Sequence, residues 1–575
     1  MKFFKTTLIA LSLLSLTMEG CSDKDFLDVS PTGSLADEQL NTVDNVEKQV
    51  IAAYSQLGND AFFCPYTSMW PYGNVRGGDA YKGGGGTGDV DAFHFYETFV
   101  FNRVDIGNTD EFWFRMYLSI SRCNDALRRL NAIDATKMPT KAVRQGEMRF
   151  LRGHFYFMLK EMFKYVPYID ENLPTDQYAS VSNRAMTNDA LWSKVADDFR
   201  FAVANLPATQ PEIGRANKSA AQAYLAKTVL YQAYNQSETN AVTSIDAAKM
   251  AEVNTLCDAV ISSGKYALHP DYATNFLTEG DNGAESVFAI QFSRNDGTPA
   301  GRTARGNELN YPMNPEYGCC SFHQPSQNLV NSYKTDASTG LPLFNTFNNS
   351  DLTTPADFQN NTLDPRIDHT VAINTHPFKY NPLFVFDNSW VRVPQIYGFF
   401  LSMKESVLPT DPSFQKNPPF MSSSKNWAII RYADVLLWKA EALIELNRPV
   451  DALPLINQLR TRAQNSTGLL KTVTGMPTSN YRIGQYPAAS FTQAYARQAL
   501  RYERRMEFAM EGFRFFDLVR WGIASQYMND YFNVEKTKRQ YPQTARFTPG
   551  RDEYMPIPLN QINFSKGAYQ QNAGW

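Results

Sequence analysis

The residues best suited to chemistry lie near the C-terminus, in YERRMEFAMEGFRFFDLVRWG, Tyr502 to Gly522. Read as a helix, this stretch places Tyr502, Met506, Ala509, Phe513 and Phe516 on one apolar face and Arg504, Glu507, Glu511 and Arg514 along another. Carboxylates one helical turn apart stand about 5–6 Å from each other at Cβ. That is close to the roughly 5 Å between the two carboxyls of a retaining glycosidase. A glycosidase acid must hold a proton near neutral pH, whereas flanking Arg504 and Arg514 favour both carboxylates ionised. The stripe is therefore read as a clamp that locks a helix to its neighbours. GxSxG and HExxH are also absent, so no catalytic residue is assigned.

A second chemistry needs rings. Sugars present C–H patches on one face and hydroxyls around the rim, so a glycan site pairs flat aromatic side chains with amide, carboxylate or guanidinium groups. Two segments have this composition. Tyr66 to Tyr96 carries Trp70, Tyr72, Arg76, Asp79 and Tyr81 beside the Gly83 to Gly86 run, and NELNYPMNPEYGCCSFHQPSQN carries Asn310, Tyr311, Tyr317 and Phe322. These nine are the candidate ligand-binding residues, with ordinary loop packing as the alternative for each aromatic. His323 is read as packing, and Trp390 and Tyr397 are lesser candidates. The glycine run is no phosphate cradle, because no Lys-Ser/Thr follows it.

The elements that must position these residues are mainly helical. Trp113, Tyr117, Ile120, Asn124 and Leu127 recur at steps of four and three, on a helix starting near Thr109, with Asn124 a satisfied buried polar group. Met148, Leu151, Phe155, Met158 and Met162 mark a helix that is apolar on most sides. Further helices are read over 188–206, 218–234 and 245–263, in a second block over 431–521, and over 37–57. About eight helices in pairs predict a tetratricopeptide-like scaffold of about four helix pairs. Between the two blocks, residues 266–425 are dense in Asn, Pro, Gly, Ser and Thr and read as long, partly β loops, where binding functions gather.

The chain has 575 residues, of which 43% are hydrophobic and 13% aromatic. Lys and Arg total 55 against 58 Asp and Glu, a net charge of −3 that gives no electrostatic reason for a nucleic-acid partner. Lys2 and Lys5 followed by the apolar run Leu8 to Leu16 form an export signal too short to span a bilayer. Gly20 before Cys21 resembles a bacterial lipoprotein cleavage box, with Cys21 as the lipidated N-terminus. Met18 and Glu19 depart from the usual box. The other cysteines, Cys64, Cys123, Cys257, Cys319 and Cys320, show no CxxC or metal-ligand spacing, and neither a metal nor a cofactor is expected. Spacing fixes no pairing among them.

Four segments together resemble one family, the SusD/RagB outer-membrane lipoproteins of Gram-negative bacteria. They are Arg152 to Ile169, RYADVLLWKAEALIEL from Arg431, ERRMEFAMEGFRFFDLVRWG, and the tail YMPIPLNQINFSKGAYQQNAGW. The resemblance covers the whole mature chain. It implies a signal peptide over 1–20 and one SusD-like domain over 21–575, with a helical scaffold at about 36–265 and 426–523, a ligand-binding loop region at 266–425 and a tail at 524–575. It also implies non-enzymatic binding of a glycan at the cell surface, a lipid anchor in the outer membrane, and a SusC-like TonB-dependent transporter as partner. Peptide binding by a RagB-like protein is the alternative, and a glycoside hydrolase a more distant one.

Overall fold

The computed structural model describes residues 41–100, 102–298 and 301–575. The export signal, Cys21 and the start of the 37–57 helix lie outside the described residues. Helix α1 (Val43–Tyr54) is capped by Thr42, whose side chain accepts from the Asn45 amide. After α2 (Asp91–Thr98) comes a run of long helices: α3 (Gly107–Ala132), α4 (Lys141–Phe163), α5 (Asn188–Asn205), α6 (Lys218–Ala233) and α7 (Ala247–Ser262). It resumes with α8 (Tyr432–Glu445), α9 (Pro449–Asn465) and α10 (Gln493–Phe508).

Each helix from α3 to α10 packs on the next in chain order. This makes the four helix pairs of a tetratricopeptide-like scaffold. The loop-rich region is inserted inside one pair, since α7 packs on α8 across it. Side-chain caps set the helix starts at Thr187, Asn217, Asp246 and Thr492. Gly153 on α4 lets the helices close up, because a methyl group there would sit 2.9 Å from the Phe199 ring on α5.

The sheets are small and two-stranded. Among the described residues, β1 (Ala80–Gly83) pairs antiparallel with β3 (Phe322–Pro325), and β2 (Ser286–Ile290) with β4 (Trp427–Arg431). The β2–β4 pair carries the chain from the inserted region into α8. A further helix, α12 (Ala524–Lys538), occupies part of the segment read as a tail.

The Tyr502–Phe516 periodicity does not make one helix. α10 stops at Phe508, the backbone turns through Met510 (φ 66°) and Gly512 (φ 88°), and α11 (Arg514–Arg520) starts afresh. The cause is tertiary. A side chain on Gly512 would collide with the Ser68 carbonyl, and one on Gly73 with the Gly512 carbonyl, so two backbone turns interlock where only glycine fits. Asn74 Oδ1 ties the junction by accepting from the Gly512 amide at 3.0 Å.

Glu507 is fully buried and accepts from Arg462 Nη2 at 2.6 Å, Arg431 Nη1 at 2.9 Å and Arg366 Nη1 at 3.3 Å. Glu511 accepts from Arg431 Nε at 2.9 Å and Lys404 Nζ at 2.7 Å. Glu285, Glu503, Asp364 and Arg460 complete a buried network of five carboxylates and five cations. Although burial opposes the charge, the three guanidiniums hold the Glu507 carboxyl far below the usual carboxylate range. A second clamp joins Arg504 to Asp517 and Asp434, and Arg520 to Asp517 and Glu441. A third joins Arg152 to Asp198 and Glu171, with Asn124 Oδ1 accepting from Arg152 at 2.8 Å.

Removing one member of a buried ion network leaves charges uncompensated. Glu507→Ala should therefore cost about 3–5 kcal/mol, read as a lowered midpoint in chemical denaturation. Because the folded carboxyl titrates below the ordinary glutamate value of 4.5, its contribution is fully present above that pH and is lost as pH falls below it. Glu507→Gln should flatten this acid-side slope, and an unchanged slope would contradict the assignment.

Candidate functional site

The two segments singled out for ring chemistry do meet, but as an interior seam. β1 and β3 pair with Ala80 opposite Pro325, Tyr81 opposite Gln324 and Gly83 opposite Phe322. Trp70 has no exposed surface; its Nε1 donates to the Gly306 carbonyl at 3.2 Å and its ring lies 5.0 Å from Phe93. Tyr72 is buried against Phe112, and Arg76 lies 4.0 Å over the Phe515 ring and donates to the Asp552 carbonyl at 2.8 Å. Burial brings the Arg76 guanidinium down to about 10. Asp79 accepts from Arg505 Nε at 2.8 Å, and the Tyr81 hydroxyl donates to Glu535 at 2.6 Å.

On the second segment, Tyr311 and Tyr317 belong to a small separate core with Phe378, Phe386 and Phe414, and the Tyr317 hydroxyl donates to the Val407 carbonyl at 2.7 Å. Asn310 and Phe322 are buried too. His323 is enclosed between Asn74 and Glu405, and Tyr397 is buried, while Trp390 is half-buried. The expectation that the nine candidates face a ligand is therefore corrected: each is buried, and most are spent on internal partners. Lys82 explains the glycine run, since its ammonium donates to the carbonyls of Gly83, Gly86 and Asp89 and holds the loop shut.

The ring surface that does reach solvent lies one loop earlier. Phe62 is half-buried and Phe63 is 38% exposed, with ring centroids 5.6 Å apart and planes at 90°. Phe420, half-buried at the tip of the Phe414–Ser423 hairpin, lies 5.2 Å from Phe62 with planes 36° apart. Asn108, at the start of α3, donates to the Phe63 carbonyl at 2.5 Å. Asp60 fixes the other end of the loop by accepting from the Thr67 amide at 2.9 Å against Gly306, and burial pushes its carboxyl up to about 6.

Polar groups lie on neighbouring segments: Arg305–Asn310 packs against the Phe420–Ser423 strand, and the Glu111 and Arg115 charges reach Cys64, next to Phe63. Arg305 is 54% exposed and is steered by Glu308 at 3.1 Å. Arg115 and Glu111, both half-buried, pair at 2.6 Å in the first turns of α3. Three partly exposed rings with the exposed Arg305 guanidinium on an adjoining segment make an arrangement that can stack on a sugar ring and bond its hydroxyls. The signals in the sequence were the Phe62-Phe63 pair in NDAFFCP and Pro418-Pro419-Phe420. A cleft of about 790 Å³ lined by Gln359, Gln464, Lys471, Asn480, Tyr481 and Arg482 is a weaker candidate. Its single ring, Tyr481, has its hydroxyl occupied by Asp368 and Thr478. Among the described residues no group of three or more His, Cys, Asp or Glu could hold a metal ion.

Glu507 and Glu511 fall away as a hydrolytic pair. Both are buried and gripped by arginines and a lysine, which spends their oxygens on internal partners.

Residues 284–575 match a family model described as the SusD family, and residues 25–230 match one described as starch-binding associating with outer membrane. The chain is 24% identical to SusD-like protein P25 of Formosa agariphila over 565 residues, covering 96% of each. It is also 24% identical to a SusD-like protein of Bacteroides ovatus, covering 92% of this chain and 85% of that one. A SusD superfamily protein from Bacteroides vulgatus has the same fold, with a TM-score of 0.66 at 20% identity over 92% of this chain and 99% of its own. So does surface glycan-binding protein A from Bacteroides thetaiotaomicron in complex with laminarihexaose, with a TM-score of 0.65 at 20% identity over 92% and 99%.

Burial converts the earlier candidates into stability positions. Trp70→Ala should cost about 3–5 kcal/mol, seen as a lowered denaturation midpoint. A Trp70→Ala protein of unchanged stability that loses only ligand binding would show instead that Trp70 faces a site.

Proposed function

Since the chain belongs to the SusD family, we propose that it binds an oligosaccharide or polysaccharide at the bacterial surface and passes it on without cleaving it. The observation that carries this reading is the partly exposed ring surface of Phe62, Phe63 and Phe420, with the exposed Arg305 on the segment packed against the Phe420 strand. A similarly folded protein is described as a laminarin-binding SusD-like protein, and another was solved with laminarihexaose, which supports glycan as the ligand class. Binding without turnover is supported by the burial of Glu507 and Glu511 within the arginine network.

The same reading includes an anchor and a partner. Cys21 carries the lipid and holds the protein on the outer face of the outer membrane. Among the described residues no helix is long and apolar enough to cross a membrane. Movement of the glycan inward therefore falls to a second protein, a SusC-like TonB-dependent barrel, and the long rigid scaffold supplies a broad surface for docking on it.

Three measurements test the reading. Binding to a panel of soluble glycans, set against a peptide pool, should favour glycans and release no reducing ends. Phe62→Ala, Phe63→Ala and Phe420→Ala should each weaken binding by about 0.5–1.5 kcal/mol, roughly two- to tenfold, with little change in stability. Preference for peptides, or glycan binding indifferent to all three, would reject it. Cys21→Ala should release the protein from membranes, and pulldown of the native protein in mild detergent should bring a large barrel with it.

A further inference from the structure

Beside the ring surface lies the Cys319–Cys320 disulfide, which bridges neighbours in the chain. A cross-link stabilises chiefly by closing a long loop in the unfolded chain, and one between adjacent residues closes almost none. The other described cysteines, Cys64, Cys123 and Cys257, are buried and free. This bridge instead sits where a ligand can reach it: Cys319 is half-buried and Gly318 exposed, while Cys320 is buried beneath.

Its position is fixed from both sides. A methyl group on Gly318 would lie 3.4 Å from the Met421 side chain and 3.5 Å from the Pro419 carbonyl, so the residues around the bridge run along the two neighbours of Phe420. The loop itself is held firmly. Gly318 N donates to the Asn314 carbonyl at 2.7 Å, Asn314 Oδ1 takes the Glu316 and Tyr317 amides, and Ser321 donates to Tyr311 and Trp390 carbonyls, each at 2.9 Å.

We propose that the Cys319–Cys320 disulfide is itself a ligand-contacting surface, an apolar sulfur edge that takes the C–H face of a sugar unit next to the one stacked at Phe62 and Phe420. This rests on the reading of those rings as the glycan platform. Two thiols would each carry a donor in search of an acceptor, whereas the oxidised pair has none and presents two polarizable sulfurs. A surface of that kind suits the hydroxyl-free face of a pyranose and extends the platform without adding a side chain that must be immobilised. The exported location read from the N-terminal sequence supplies the oxidising surroundings in which such a pair persists.

The test is affinity electrophoresis of the mature chain in native gels containing laminarin, soluble starch, pectin or alginate. It compares the wild type, the Cys319→Ser/Cys320→Ser double variant and Phe420→Ala. The double variant should lose roughly threefold or more in affinity for whichever polysaccharide retards the wild type, at a nearly unchanged melting temperature. If that variant does not fold, the folded wild type is treated with a water-soluble phosphine. The phosphine gives two electrons to the S–S bond and leaves as its oxide with a water oxygen, and both sulfurs become thiols, counted by mass. Reduction should bring the same loss. Unchanged retardation after reduction or in the double variant, with Phe420→Ala weakened, would overturn this inference and leave the platform standing. Unchanged retardation in all of them would remove the platform as well, and a wild type retarded by none of the four would remove the glycan reading itself.

Discussion

Five carboxylates and five cations kept charged in a dry interior are the constraint on which this fold depends. Glu285 stands just before β2, Asp364 and Arg366 come from the inserted region, Lys404 from its far end, Arg431 from β4, Arg460 and Arg462 from α9, and Glu503, Glu507 and Glu511 from α10 and the turn after it. No pair of these is worth much alone, because desolvation offsets most of the attraction. Closed into a balanced network, they leave no charge unpaired, and each misplaced element would strand one. The network therefore specifies position more than it adds stability, fixing where the irregular region must sit on the helices.

That fixed seating passes to the surface through backbone contacts. The turn at Met510–Gly512 interlocks with the Ser68–Gly73 turn, and Trp70 from the same turn reaches the Gly306 carbonyl. Gly306 abuts Asp60, whose loop carries Phe62 and Phe63. The rings are thus three short steps from the charged core. On the proposed function, a ring surface seated this way lowers the ordering cost that a shallow site must meet on binding.

Much of this was legible in the sequence, and the rest was not for physical reasons. Helix positions such as 188–206 and 218–234 followed from composition, period and stop residues, because those signals are local, and the Thr187 and Asn217 caps agree with them. The clamp role of Glu507 was read from Arg504 and Arg514, whereas its partners are Arg366, Arg431 and Arg462, and these, like the break at Gly512, are brought by distant segments that no periodicity records. The ring candidates failed because aromatic residues with polar partners describe an interior seam as well as a sugar platform. Trp70, Tyr72 and Tyr81 satisfy their polar atoms inside, and the nearby Gly73, Gly77 and Gly78 were a hint of close packing. Phe62 and Phe63 were not singled out, because a short aromatic pair carries no signal of its own, and only burial tells a platform from a seam.

Shallowness then has a functional consequence. On the proposed function, three partly exposed rings and a guanidinium cover only about two or three sugar units, so a single contact is weak and short-lived. A polysaccharide repeats its units, however, and a membrane would display many copies of a binder anchored as proposed. Each further engagement is then intramolecular and adds retention without a new kind of contact. Weak sites in numbers hold a long polymer yet release any one segment quickly. A tight single site would hold the polymer equally well and would keep it from whatever must take it next. The sparse platform and the heavily reinforced interior beneath it are two sides of one arrangement, in which precision lies in the scaffold and the binding face is left easy to leave.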